Sequence, residues 1–122
     1  MRSRNETLES VIAKEVFGLD LDYDEEYDRW YLKGRKIPVR DYSRDPECIV
    51  DLMEKIEELS PSYASYGKLC IEAEYPGKGG ELVWMVGFRE YSDMQALAAH
   101  KNLPMALCLA ALKAKGVEYA SV

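Results

Sequence analysis

Asn102-Leu103-Pro104-Met105-Ala106-Leu107-Cys108-Leu109-Ala110-Ala111-Leu112-Lys113-Ala114-Lys115-Gly116 is the stretch on which the rest of the chain must be arranged. It reads as one helix with both ends marked. Asn102 can accept from the free N–H groups of the first turn, and Pro104 stands early, where a missing N–H costs nothing. Lys113 and Lys115 lie in the last turn, where the helix dipole favours positive charge. Gly116 can take the left-handed conformation that ends a helix. Between the caps almost nothing is polar. A helix apolar on nearly every side is buried, here against a sheet or against a partner chain.

Upstream, Gln95 to His100 is ambiguous. Ala96, Leu97, Ala98 and Ala99 favour a helix by propensity, but the stretch is short and runs straight into the Asn102 cap, so it is read as a strand. Leu82 to Phe88 is continuously apolar, which suits a central strand covered on both faces. Leu69 to Tyr75 alternates as a strand, and Pro76-Gly77-Lys78-Gly79-Gly80 makes the turn between the two. Ser60 to Gly67 is a loop, too short and too ordinary in composition to mark a second domain.

The second helix opens at Ser43 or Asp45, with Pro46 and Glu47 in its first turn and an apolar stripe of Ile49, Leu52, Met53, Ile56 and Leu59. Ile37 to Tyr42 before it is extended. Leu19 to Tyr23 and Arg29 to Leu32 form a hairpin about the polar turn Asp24 to Asp28. The first helix runs from an Asn5 cap to Phe17, with Leu8, Val11, Ile12 and Val16 on one face and Gly18 closing it. The order is helix, hairpin, helix, hairpin, strand, helix. The expected architecture is a single α/β (α+β) domain over residues 1–122. It would be a three-layer α/β/α sandwich, with about three helices on a mainly antiparallel sheet of about five strands.

The totals agree with one domain. A chain of 122 residues buries about two-thirds of its unfolded surface. A net charge of -6 repels phosphate backbones, so nucleic acid is disfavoured as a partner. The longest apolar run is far short of a membrane span, and no apolar signal core follows Met1-Arg2-Ser3-Arg4, so no membrane association is expected. Cys48, Cys70 and Cys108 are an odd number without a CxxC pair, and read as reduced core residues of a cytoplasmic protein. Nine tyrosines are the one unusual count, and they direct attention to aromatic surfaces.

Ile12-Ala13-Lys14-Glu15-Val16-Phe17-Gly18, then Ile37-Pro38 and Asp41-Tyr42-Ser43-Arg44-Asp45 opening a helix, then Leu103-Pro104-Met105-Ala106-Leu107-Cys108-Leu109-Ala110-Ala111-Leu112-Lys113-Ala114, resemble the phage ABA sandwich domain proteins. The resemblance spans roughly residues 8 to 118, and the C-terminal motif is its most specific part. It implies an α/β/α sandwich and a phage or prophage origin. It implies no activity and no catalytic residues.

Several constellations suggest chemistry and fall short of it. From Asp20, the acidic run matches an EF-hand at its third and fifth positions. Glu25 stands where the loop needs Gly, and Tyr31 where it needs Glu, so a solvated strand edge is the better account. Gly77-Lys78-Gly79-Gly80 lies between two strands and lacks the P-loop spacing. His100 has no second ligand at metal spacing. No metal and no cofactor are therefore expected.

The aromatics are more open. Arg40, Tyr42, Tyr63, Tyr66, Arg89, Tyr91 and His100 are the candidate ligand-binding residues. Aromatic faces would stack on a base, and an arginine fork would hold a phosphate. The leading expectation is a non-enzymatic binding module that sequesters a nucleotide-like host molecule or blocks a host defence protein. A small hydrolase using His100, Asp41, Asp45 and Arg89 is one alternative. A structural or assembly module, a homodimer packed through the apolar C-terminal helix, is the other, and a homo-oligomer (dimer) is the expected assembly.

Overall fold

The computed structural model describes residues 6–35, 37–59, 68–75, 80–90 and 93–117. Within them the chain is a mixed α+β fold. Helix α1 (Leu8–Val11) continues directly into a π-turn (Ile12–Val16). Strands β1 (Leu21–Asp24) and β2 (Arg29–Leu32) follow, and a 3-10 turn (Pro46–Cys48) leads into α2 (Ile49–Leu59). Strands β3 (Lys68–Glu74), β4 (Val83–Glu90) and β5 (Asp93–His100) precede α3 (Leu103–Lys115).

Both ends of α3 are closed as its sequence requires. The Asn102 side chain accepts from the Met105 N–H at 3.1 Å. Gly116 has φ +83°, and the N–H of Val117 reaches back to the Leu112 carbonyl at 2.9 Å, the six-to-one bond of a Schellman cap. The ambiguous stretch before it is a strand. Tertiary pairing with β4 overrides the helical propensity of its alanines.

Three expectations are corrected. The first helix is capped by Thr7, two residues beyond Asn5. Its Oγ1 accepts from the Ser10 N–H at 3.1 Å, while the Ser10 hydroxyl oxygen accepts from the Thr7 N–H at 2.9 Å. Serine here replaces the usual Glu of a capping box. Second, the helix does not run regularly to Phe17. The Phe17 N–H bonds to the Ile12 carbonyl, five residues back, at 3.2 Å. An i, i+3, i+4 pattern over so few residues fits both ladders.

Third, the five strands do not form one sheet. β1 and β2 pair only with each other, and β3-β4-β5 is a separate antiparallel sheet. β5 carries a bulge. Ala98 pairs with Val86 and Ala96 with Gly87, which leaves Leu97 as the extra residue, buried beside its neighbours.

The place of α3 explains its composition. It packs on β4 and β5 on one side and on α2 and the π-turn on the other. Ala106, Leu107, Cys108, Ala110, Ala111 and Leu112 are all buried within the one chain. Val86, Phe88 and Leu97 from the sheet, and Ile12, Leu52 and Ile56 from the other helices, close over it. The apolar surround of α3 thus comes from a sheet and a helix pair of its own chain. Among the described residues, no helix is long and apolar enough to cross a membrane.

Candidate functional site

The segment joining the first hairpin to α2 is pinned at both ends. The Leu32 N–H donates to the Ile37 carbonyl at 2.8 Å and the Val39 N–H to the Trp30 carbonyl at 3.0 Å, so residues 37–39 run along the outer edge of β2. The N–H groups of Arg44 and Asp45 both donate to the Asp41 carbonyl, at 3.0 and 2.8 Å. Asp45 then caps the 3-10 turn by accepting from the Glu47 N–H at 2.9 Å. Between these anchors Arg40, Tyr42 and Asp41 are presented to two clefts.

In the first cleft, Phe17, at the end of the π-turn, stacks on Tyr42 with ring centres 5.0 Å apart. Tyr42 is 3% exposed, and burial pushes its hydroxyl up to about 12. The Arg40 guanidinium lies 5.9 Å from the Tyr42 ring centre and pairs with Asp51 at 2.7 Å. Lys55 lies 5.9 Å from the Phe17 ring. Half-exposed Leu19 extends the apolar wall.

The second cleft lies between α1, β2 and the same segment. Glu9 and Asp41 meet there, with Arg44, Arg29, Trp30 and Val39 around them. Buried Ser43 donates its hydroxyl to Glu9 Oε1 at 2.5 Å. Burial first, then the Glu9 charge, pushes the Asp41 carboxyl up, while Arg44 pulls it down. Lys14 of the π-turn covers one side of Trp30 at 4.1 Å, and Tyr23 tilts against it at 5.1 Å.

The hairpin tip forms a third, acidic recess lined by Asp22, Tyr23, Tyr27 and Tyr31 among others. Part of its charge serves the turn. Asp24 accepts from the Glu26 N–H at 2.9 Å, and Asp28, at φ +50°, accepts from the Tyr23 hydroxyl. That bond pushes the Tyr23 hydroxyl up to about 12.

Of the expected site residues, Arg40 and Tyr42 share the first cleft. His100 stands at the end of β5, where its Nδ1 accepts from the Asn102 N–H at 2.9 Å, and it lines none of these three clefts. Arg89 pairs with Met94 and Lys68 along the backbone of β4, and its side chain lies outside what is described. Tyr63, Tyr66 and Tyr91 also lie outside the described residues, as does Lys78 of the glycine-rich turn. Cys48 and Cys108 are buried, and burial pushes both thiols up, whereas Cys70, on β3 of the three-stranded sheet, is only half-buried and not the core residue expected.

Sequence reasoning missed Glu9, Phe17, Ser43 and Asp51 as site residues. Glu9 was legible only as an acid in a first helical turn, and Phe17 only as a helix end. The contact between the first helix and residues 41–43 is a tertiary one, and no spacing rule reports it. No family model, curated protein or solved structure matches this chain.

Proposed function

We propose that the chain is a non-enzymatic binding module, encoded by a phage or prophage and acting in the cytoplasm of a bacterial host. It sequesters a small, nucleotide-like molecule or blocks a host defence protein. The observation that supports this is Arg40, held over Tyr42 at the mouth of the first cleft and tied by an exposed ion pair to Asp51. Such a pair is worth roughly 0–1 kcal/mol, so a phosphate can take over the guanidinium fork at small cost. Phe17 and Leu19 supply apolar surface for a base beside it. Buried Cys48 and Cys108, with thiols pushed up, are not available as thiolate nucleophiles. The phage setting, and helices on both faces of the sheet, come from the family resemblance and stand with this reading.

Native mass spectrometry of protein purified from a bacterial host tests it, followed by denaturation and identification of what is released. A nucleotide-like molecule recovered intact, and lost from Arg40→Ala, is the expected result. A chemically changed molecule would mean turnover and a hydrolytic enzyme. An empty protein of twice the chain mass would favour the homodimeric assembly module.

A further inference from the structure

We propose that the Tyr42 hydroxyl is a hydrogen-bond donor of the first cleft, and that with Arg40 it holds the single phosphate of a nucleoside monophosphate. This rests on the nucleotide-like reading and narrows it to one class of ligand. The Tyr42 side chain is 3% exposed, yet among the described residues its hydroxyl has no hydrogen-bond partner. The ring is placed by stacking on Phe17 at 5.0 Å, with Arg40 5.9 Å from its centre, and this leaves the oxygen unused. Nor is the oxygen sealed away from the surface, since the residue lines the cleft. A tyrosine this deeply buried normally has its hydroxyl bonded, because an unpaired one costs free energy that phenylalanine would not. An unbonded hydroxyl that opens on a cleft is a donor that a ligand oxygen completes. Burial keeps it in the protonated, donating form, with Arg40 pulling the other way.

Arg40 supplies the charge beside that hydroxyl. Asp51 takes its Nη1 at 2.7 Å and leaves the other nitrogens of the guanidinium fork. A phosphate oxygen can take those while Asp51 keeps the group in place. The charges around the cleft limit how many phosphates it accepts. Asp51, Glu54 and Glu58 line it against Arg40 and Lys55, so the described lining is negative by one. Lys55 itself stands 3.4 Å from Glu58. One phosphate finds Arg40 and the Tyr42 hydroxyl. Each further phosphate adds negative charge beside Glu54 and Glu58, both exposed carboxylates, and is repelled.

Isothermal titration of the full chain with adenosine, AMP and ATP tests it, on the native protein, Tyr42→Phe and Arg40→Ala. AMP is expected to bind, and adenosine and ATP each to bind about tenfold more weakly or worse. Tyr42→Phe is expected to weaken AMP by about tenfold. Its melting temperature is expected not to fall, because the change removes no bond that the folded chain makes among the described residues. That second readout separates a donor to a ligand from a structural hydroxyl. AMP lost from Arg40→Ala but bound unchanged by Tyr42→Phe would overturn the hydroxyl donor and leave the nucleotide-like reading standing. So would a melting temperature lowered in Tyr42→Phe. ATP binding as tightly as AMP would overturn the monophosphate alone. No heat from any of the three at millimolar concentration would overturn both this inference and the reading it rests on.

Discussion

At Asp41 a single carboxyl reports on the packing around it. Burial and the neighbouring Glu9 push its pKa above the ordinary 3.8, with Arg44 opposing. A carboxyl shifted upward binds its proton more tightly in the folded chain. Its contribution is present below 3.8 and is lost as the pH rises through the shifted value. Asp41→Asn cannot lose a proton and can still donate to Glu9. Its melting temperature relative to the native chain should therefore climb as the pH rises above 3.8 and then level off. A difference that stays flat across that range would mean that burial and Glu9 do not raise the Asp41 carboxyl in the folded chain.

At the scale of elements, the caps of α3 carry separable energies. Asn102→Ala removes the acceptor for the Met105 N–H and should cost about 1 kcal/mol. Gly116→Ala meets no atom within 4 Å, so its cost is backbone strain alone, roughly 1–2 kcal/mol at φ +83°. The two positions lie at opposite ends of the helix and share no partner, so chemical denaturation of the double variant should return the sum of the single losses. A clearly smaller loss in the double variant would mean that the helix frays from one end only.

These caps were legible because each is a local bond between residues a few positions apart. The π-turn was not, because Ile12, Ala13 and Val16 are apolar in either ladder. What selects the wider turn is tertiary. It delivers Phe17 to Tyr42 and Lys14 to Trp30, two contacts that join the first helix to both clefts. The candidate site was half legible for the same reason. Arg40 and Tyr42 stood out by residue type, whereas their partners Asp51 and Phe17 lie in other elements of the chain.

For the whole molecule, the burial of α3 inside one chain has a consequence that a dimer interface would not. Leu107 is 0% exposed between sheet and helices. Leu107→Ala should cost about 2–5 kcal/mol by opening a cavity. The melting temperatures of the native chain and the variant should both be independent of protein concentration, because no association is linked to covering the helix. A midpoint rising with concentration in scanning calorimetry would place a second copy against α3.

Legible in the residues alone were the elements whose evidence is local: both ends of α3, the apolar stripe of α2, the first hairpin, and the strand character of β3 and β4. The composition of α3 also required most of it to be buried, since almost nothing between its caps is polar. What buries it, and the division of the five described strands into sheets of two and three, follow from long-range packing. Strand pairing is a choice among distant partners of similar apolar character, and the free-energy differences among them arise from packing that no short window contains. The same holds for the meeting of Glu9, Asp41 and Ser43. Residues 34 positions apart are joined by one buried hydroxyl, and the fold alone brings them within 2.5 Å.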